Sequence, residues 1–284
     1  MHNMKIDFIH VGIHKTASTY LQKNVFPQIE GLKIINQEFD SWFYNEFIKI
    51  NPYKFDSDIF LQKLKSKFDS KAVRCNNILA ISEENISGDI YTGQSSKELM
   101  FRVKECFDNV QILIVLRNPI DYILSTYSNY ILHGGTKSIK SWLFGQETRF
   151  GEILEKLHYS YLVNDYIETF GREKVTVILY EQMFDKKNGI HDFFKIFNLN
   201  CDTLKEGKVN VGRSLLANHI MSFLNLFNIY KVKKIQILFK YFPSSKNDRD
   251  KVRTLLLSYH ESFNCDSKRL SKLLKISLPQ VYFF

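Results

Sequence analysis

The feature that most constrains the fold is a run of seven residues, Val-Gln-Ile-Leu-Ile-Val-Leu, at positions 110–116. A strand that is apolar at almost every position is buried on both faces, which is typical of a strand inside a parallel sheet. Parallel strands need long crossover connections, and these are usually helices. The run therefore predicts an α/β chain in which strands alternate with helices.

The same alternation follows from the rest of the first two thirds of the chain. Short apolar runs predict further strands at Ile6–Gly12, Lys33–Asn36, Asn77–Ser82 and Lys174–Tyr180. Helical spacing of apolar residues predicts helices at Ser18–Phe26, Asp58–Phe68, Ser95–Phe107 and Glu152–Phe170. A further helix is expected from Pro119, with Asn118 as its cap, to about His133. This order favours a three-layer parallel sheet with right-handed crossovers.

The remaining third of the chain has a helical pattern and few strand signals. Its best helical segments are Leu215–Ile229 and Asp248–Phe263, and no internal repeat is evident. We expect one domain, with a core at about residues 4–199 and a C-terminal helical appendage at about residues 214–284.

The charge of the chain points to an anionic ligand. The net charge is +9, from 39 basic and 30 acidic residues, and the basic residues are scattered without a long Lys or Arg run. This favours a localised anion pocket over a nucleic-acid-binding tail, although a merely basic surface remains an alternative. The aromatic residues follow apolar periodicity, which indicates core positions and argues against a nucleic-acid partner.

Cysteine usage and the N-terminus bear on location and metal binding. Cys75, Cys106, Cys201 and Cys265 lie far apart and form no CxxC pair, so neither a zinc site nor a disulfide framework is expected. The N-terminal apolar run is too short for a signal peptide, and no stretch of about 18 apolar residues predicts a membrane span. We therefore expect a cytoplasmic protein without a metal.

A phosphate-binding turn is predicted where the first strand meets the first helix, in Gly12-Ile-His-Lys-Thr-Ala-Ser-Thr-Tyr-Leu. Open α/β sheets bind ligands at such strand ends, and N–H groups at a helix start favour an anion. Lys15 adds a positive charge, and Thr16, Ser18 and Thr19 add hydroxyl groups. Because only Gly12 precedes Lys15, the turn is P-loop-like but lacks the Walker A spacing. An ordinary βα turn with polar caps is the alternative.

A second anion-binding element is predicted directly after the strand at 110–116. Arg117 stands at the strand end, and Ser125 follows two turns into the next helix, on the same face as Asp121. Arg117 and Ser125 could therefore converge on one phosphate, to which arginine presents a fork of donors. Arg117 also stands where a P-loop nucleotide hydrolase needs an acidic magnesium ligand. The alternatives are a salt bridge for Arg117 and simple packing for Ser125.

Together, the two segments resemble those of the sulfotransferase family, and of bacterial carbohydrate sulfotransferases in particular. The phosphosulfate loop of that family reads GxxKTGTT and its 3′-phosphate element reads RxPxDxxxSxY. Here they stand as Gly12-Ile-His-Lys-Thr-Ala-Ser-Thr19 and Arg117-Asn-Pro-Ile-Asp-Tyr-Ile-Leu-Ser-Thr-Tyr127. Ala17-Ser18 replaces the usual Gly-Thr, and the resemblance covers roughly Met4–Leu199.

The resemblance implies a co-substrate and the residues that bind it. The donor would be 3′-phosphoadenosine 5′-phosphosulfate. Its 5′ end would be held by the loop residues His14, Lys15, Thr16, Ala17, Ser18 and Thr19, and its 3′-phosphate by Arg117 and Ser125. Arg213, in a basic Gly-containing loop before the C-terminal helices, is a weaker candidate for a phosphate contact.

The residue that takes the proton from the acceptor hydroxyl has more than one candidate. By resemblance, a Glu about twenty residues beyond the loop fills this role, which makes Glu38 the first choice. Glu83, just after the strand that ends near Ser82, is the second, and His133 is a weaker candidate for an acceptor contact. Lys15 would also act in catalysis, by stabilising charge on the leaving phosphate.

The resemblance also implies an acceptor, for which a carbohydrate or a glycolipid is preferred. The basic charge is compatible with peripheral contact with an anionic membrane, and the sequence does not indicate an oligomeric state. Two other functions remain open. One is a kinase-like nucleotide-binding enzyme, and the other is an anion-binding protein that has lost catalysis.

Overall fold

The computed structural model describes residues 5–35, 40–67, 78–145, 153–185, 189–199, 213–227 and 242–284. The chain forms two compact units. The first comprises Met1–Asp89, Gln94–Leu116 and Val163–Gly207, and the second comprises Ile90–Gly93, Arg117–Leu162 and Lys208–Phe284. The prediction of one domain with a helical appendage stays a prediction.

The first unit is built on a five-stranded parallel sheet in the order β2-β3-β1-β4-β5. The strands are β1 (Phe8–Gly12), β2 (Leu32–Ile34), β3 (Ile78–Ser82), β4 (Gln111–Leu116) and β5 (Val175–Leu179). All five predicted strands are present, with ends shifted by a few residues at most. The predicted α/β class with a parallel sheet is therefore confirmed.

The sheet is buried on both faces, as the composition of β4 predicts. On one face of the sheet, Phe8, Leu113 and Val115 pack with the segment after β1 and with the helix Ile190–Lys195. The rings of Phe8 and Phe193 meet edge to face, with their centroids 5.0 Å apart. The side chains that alternate with these along the strands are also fully buried, including Ile9, Val11, Ile112 and Ile114. Apolar character at nearly every strand position follows from this double burial.

The helices of the first unit lie between these strands or, for the last helix, after β5. They are α1 (Ser18–Tyr20), α2 (Asp40–Phe43), α3 (Ser57–Lys67), α4 (Ser96–Cys106) and, after the second unit's first helices, α8 (Tyr159–Phe170) and α9 (Ile190–Lys195). The short α1 continues as a π-helical turn at Leu21–Val25 and a 3₁₀ turn at Phe26–Gln28. Helical structure thus runs past the predicted end of this segment, and Pro27 lies in its last turn.

The described part of the second unit consists of helices and turns. Its helices are α5 (Pro119–Leu132), α6 (Ile139–Phe144), α7 (Ile153–Lys156), α10 (Leu215–Asn225), α11 (Lys246–Leu255) and α12 (His260–Leu274), and α8 begins within it. Trp142 is fully buried and packs against the ring of Tyr127 at 5.3 Å. In the described ranges of both units, none of the helices has the length and apolar character that crossing a membrane requires.

Two predicted helices are each divided in two. The segment Glu152–Phe170 is broken before Tyr159, where Asp266 of α12 accepts hydrogen bonds from Ser160 N (3.3 Å) and Ser160 Oγ (2.5 Å). This carboxylate caps the start of α8 from a distant part of the chain. The segment Asp248–Phe263 is broken by a 3₁₀ turn at Leu257–Tyr259.

Candidate functional site

The loop between β1 and α1 has an unusual backbone. Lys15 and Ala17 adopt left-handed φ angles of 66° and 68°. Non-glycine residues take this conformation rarely, and each instance costs on the order of 1–3 kcal/mol. Thr16 stabilises the turn, because its hydroxyl donates to the carbonyl of Ile13 at 2.5 Å and its N–H donates to the same oxygen at 3.3 Å. Strained backbone of this kind, with alternating handedness, forms concave anion sites from its N–H groups.

Gly12 and Ser18 lie against each other at the base of this loop. A Cβ atom on Gly12 would stand 2.2 Å from Ser18 Oγ and 3.1 Å from Ser18 Cβ, so any side chain at this position would force Ser18 to move. Ser18 is buried, and its hydroxyl has no hydrogen-bond partner among the described residues. A buried hydroxyl without a partner is costly, and a ligand oxygen at the loop would satisfy it.

Gly12→Ala is expected to lower the free energy of unfolding by about 1–3 kcal/mol, as overpacking of a tight site does. Urea unfolding would measure the change. The double variant Gly12→Ala/Ser18→Ala removes the colliding oxygen and should recover most of the loss, because the two positions are in contact. Equal losses in the single and double variants would contradict this account of the loop.

Glu84, two residues after β3, faces the loop. Its Oε1 lies 3.4 Å from His14 Nδ1, and His14 Nε2 lies 3.2 Å from the carbonyl oxygen of Gly88. Burial opposes ionisation of Glu84, but the hydrogen bond and charge of His14 and the charge of Lys15 hold its pKa below the usual value. Burial lowers the pKa of Lys15, and the charge of Glu84 opposes that shift. The site therefore pairs a partly buried lysine with an ionised carboxylate.

His10 lies beneath the site, inside the sheet. It is fully buried, and its Nδ1 is 2.8 Å from Ser82 Oγ, which also accepts a hydrogen bond from Gln22 Nε2 at 3.0 Å. Burial lowers the pKa of His10 to about 4, against the opposing charge of Glu84. The imidazole is therefore neutral at neutral pH and adds no positive charge to the anion site.

In the second unit, the residues around the start of α5 form a charged cluster. Asn118 caps the helix, because its Oδ1 accepts a hydrogen bond from Asp121 N at 2.9 Å. Arg249 of α11 donates to Asp121 through Nε at 2.7 Å and through a terminal nitrogen at 3.4 Å. Burial opposes ionisation of Asp121, but the hydrogen bonds of Arg249 and Asn118 and the charge of Arg117 hold its pKa low. Ser125 is half-buried, one turn further along α5.

Comparison with solved structures shows what fold these elements belong to. The chain is similar to a sulfotransferase from Alicyclobacillus acidocaldarius, with a TM-score of 0.61 and 18% identity, over 97% of this chain and 98% of that one. The chain has the sulfotransferase fold. A sulfotransferase domain from the curacin biosynthetic pathway is also similar, with a TM-score of 0.46 and 12% identity over 98% of this chain and 100% of that one. No family model and no curated protein sequence matches the chain.

Within this sulfotransferase fold, the predicted loop residues lie together between β1 and α1, and the other predicted residues vary in setting. Glu83 is buried, and its Oε1 accepts hydrogen bonds from Asn85 N (3.0 Å) and Asn85 Nδ2 (2.6 Å), so it caps the 3₁₀ turn at Glu84–Ser87. Glu38 lies outside the described residues. His133 is exposed at the end of α5, with its Nδ1 2.8 Å from the carbonyl oxygen of Asn129.

Arg213 is buried and lies in an isolated antiparallel bridge with Pro243, just before α10. Burial lowers the pKa of its guanidinium group. Near it, Ser214 caps α10 by accepting a hydrogen bond from Ala217 N at 3.2 Å. Arg213 therefore lies in the segment of the second unit that leads into α10. Its phosphate contact stays a prediction.

Three charged or titratable residues of these sites were not singled out from the sequence. Glu84 is not among the candidates predicted from the sequence, although the strand-end rule that indicates Glu83 applies equally to it. His10 lies inside the apolar run of β1, and its burial offers no sequence signal. Arg249 is over a hundred residues from Asp121, and local patterns do not reveal such a pair.

Proposed function

We propose that the protein is a sulfotransferase, which moves a sulfuryl group from 3′-phosphoadenosine 5′-phosphosulfate to an acceptor hydroxyl. One observation carries the proposal. The loop after β1 combines a strained backbone, the partly buried charge of Lys15 and a buried Ser18 hydroxyl without a partner among the described residues. These features fit a phosphate or sulfate oxygen, and the fold is one that sulfotransferases use.

In this proposal the loop stabilises the leaving group. As the sulfuryl group departs, negative charge grows on the 5′-phosphate, and donors already in place near that oxygen lower the barrier. Lys15 supplies a positive charge, Ser18 and Thr19 supply hydroxyl groups, and the backbone of residues 14–18 supplies N–H groups. Burial strengthens these interactions, because the local dielectric is lower than in water.

The 3′-phosphate of the donor is assigned to Arg117 and Ser125. Binding of this remote group contributes to alignment of the reacting atoms rather than to bond breaking. Arg249 contacts both carboxylate oxygens of Asp121, so the negative charge at the start of α5 is compensated by a second arginine besides Arg117. Because Arg249 compensates the charge of Asp121, this carboxylate repels an additional anion at Arg117 less strongly.

For the base that takes the acceptor proton, we propose Glu38 first and Glu83 second. Glu83 Oε1 already accepts two hydrogen bonds from Asn85, which stabilise the carboxylate and make it a weaker proton acceptor. The acceptor itself is proposed to be a carbohydrate or glycolipid hydroxyl, which rests on the sequence resemblance alone.

Nucleotide binding tests the proposal most directly. Thermal unfolding would be followed with 3′-phosphoadenosine 5′-phosphate, with AMP and ADP as controls that lack the 3′-phosphate, and with ATP and magnesium. A ligand at 100 times its dissociation constant adds about 2.7 kcal/mol of stability. We expect the 3′-phosphorylated nucleotide to stabilise most. Equal stabilisation by ATP and magnesium would favour the kinase-like alternative, and binding without transfer to any hydroxyl would favour an inactive anion-binding protein.

A further inference from the structure

Helix α10 of the second unit is attached to α5 through hydrogen bonds from two asparagine side chains. Asn218 Nδ2 donates to Ser128 Oγ at 2.8 Å, and Asn225 Nδ2 donates to the carbonyl oxygens of Ile131 (2.8 Å) and Gly135 (2.7 Å). Asn218 and Asn225 are buried. Hydrogen bonds of this kind fix both ends of the helix in one orientation, and Ala217 and Met221 are buried on the same side.

The outward side of the same helix is apolar. Leu216, Ile220 and Phe223 share one face of α10, because they are four and three residues apart. Phe227, in the turn just after the helix, extends this face, since its ring centroid lies 5.7 Å from that of Phe223. We name these four residues the α10 stripe. They are 68%, 42%, 59% and 64% exposed. A surface helix normally buries its apolar residues and exposes polar ones, so a second, exposed apolar face indicates that the stripe has an external partner.

The charge around the α10 stripe indicates what kind of partner this is. Residues 208–284 contain fourteen Lys and Arg but only four Asp and Glu, a net charge of +10, so the whole excess of the chain lies in this part. Within it, Lys246 and Lys251 of α11 are exposed, and α11 contacts the start of α10 through a hydrogen bond from Leu215 N to Asp248 Oδ1 at 3.2 Å.

We propose that the α10 stripe docks on the surface of a membrane that contains anionic lipids. Leucine, isoleucine and phenylalanine side chains insert into the boundary between headgroups and acyl chains, while nearby lysines interact with the lipid charge. A second copy of the chain would bring another +10 against the same surface, which disfavours self-association. A nucleic acid would match the charge but not the apolar stripe. This inference goes beyond sulfuryl transfer and does not depend on it.

Vesicle co-sedimentation of the full chain tests the proposal. Vesicles of phosphatidylcholine alone would be compared with vesicles that also contain phosphatidylserine. The test variant is Phe223→Gln/Phe227→Gln, and the matched control is Leu257→Gln, which changes an equally exposed apolar residue of the same unit. We expect binding that requires phosphatidylserine and that weakens at least about tenfold in the double variant, because burying one phenylalanine contributes about that factor. The control should bind as the unchanged protein does.

Four outcomes would overturn the proposal. They are absence of binding to either vesicle, equal binding to both vesicles, undiminished binding of the double variant, and a dimer in gel filtration that this variant dissociates. The first would mean that another part of the chain covers the α10 stripe, and the last would make a second copy its partner. The stabilisation of each variant by 3′-phosphoadenosine 5′-phosphate is measured in parallel. Because the stripe shares no residue with the proposed donor site, a failure here leaves the donor assignment intact.

Discussion

Replacing Lys15 with alanine is expected to lower the rate of sulfuryl transfer by about 100- to 1,000-fold, the range found when one preorganised donor to a developing anion is removed. The ammonium group is partly buried and close to the charge of Glu84, so water does not replace it well. Alanine tolerates the left-handed backbone at this position as well as lysine does. The measurement is transfer of labelled sulfate from the donor to mixed glycan acceptors.

The matched control for this variant is Lys23→Ala, which removes an exposed lysine from the helical segment after the same loop. It should change neither transfer nor the thermal midpoint. The Lys15 variant should keep its thermal midpoint, because burial already disfavours the charged form of this lysine in the folded state. A loss of activity in Lys23→Ala equal to that in Lys15→Ala would remove the special role of the loop lysine.

The sheet could be predicted from sequence because strands buried on both faces leave a strong local signal. The apolar run that becomes β4 indicates a parallel sheet by itself, and the cap at Asn118 places the start of α5 at the observed residue. Each of these features depends on neighbours within a few residues. The order of the strands could not be predicted in this way, since pairings such as Ile9 with Ile81 join distant segments.

Two helix starts show which boundaries a local sequence pattern can predict and which it cannot. The start of α8 depends on Asp266, whose carboxylate approaches Ser160 from α12, so no local pattern marks it. The start of α11 could be predicted from sequence, because Ser245 and Asp248 form a capping box whose spacing is visible in the sequence. The difference lies in whether the capping group is local or distant.

The candidate site also contains residues that the local sequence predicts and residues that depend on distant parts of the chain. The loop from Gly12 to Thr19 is continuous in sequence, and its residue types indicate an anion site directly. Glu84 reaches this loop because β3 pairs with β1, with His10 opposite Ser82, so both strands end at the same edge of the sheet. Its contact with His14 and its charge interaction with Lys15 depend on that pairing. A residue of this kind becomes visible only when strand order is known.

Replacing Arg117 with alanine is expected to remove the preference for a 3′-phosphorylated nucleotide. Hydrogen bonds from a charged group contribute about 1.5–3 kcal/mol, so 3′-phosphoadenosine 5′-phosphate should bind about 10- to 100-fold more weakly. AMP, which has no 3′-phosphate, should bind the variant as it binds the unchanged protein. Calorimetric titration of both nucleotides measures the two affinities.

The comparison between the two nucleotides separates recognition by Arg117 from general damage to the fold. Arg253→Ala is the matched control, since this arginine of α11 is paired only weakly with Asp250, at 3.8 Å, and should leave both affinities unchanged. If Arg117→Ala weakened AMP and the 3′-phosphorylated nucleotide equally, Arg117 would stabilise the start of α5 beside Asp121 instead of contacting the ligand. Ser125 lies on the same helix, so selective loss of the 3′-phosphorylated nucleotide indicates a direct contact by Arg117 only if the thermal midpoint of the unliganded variant is unchanged.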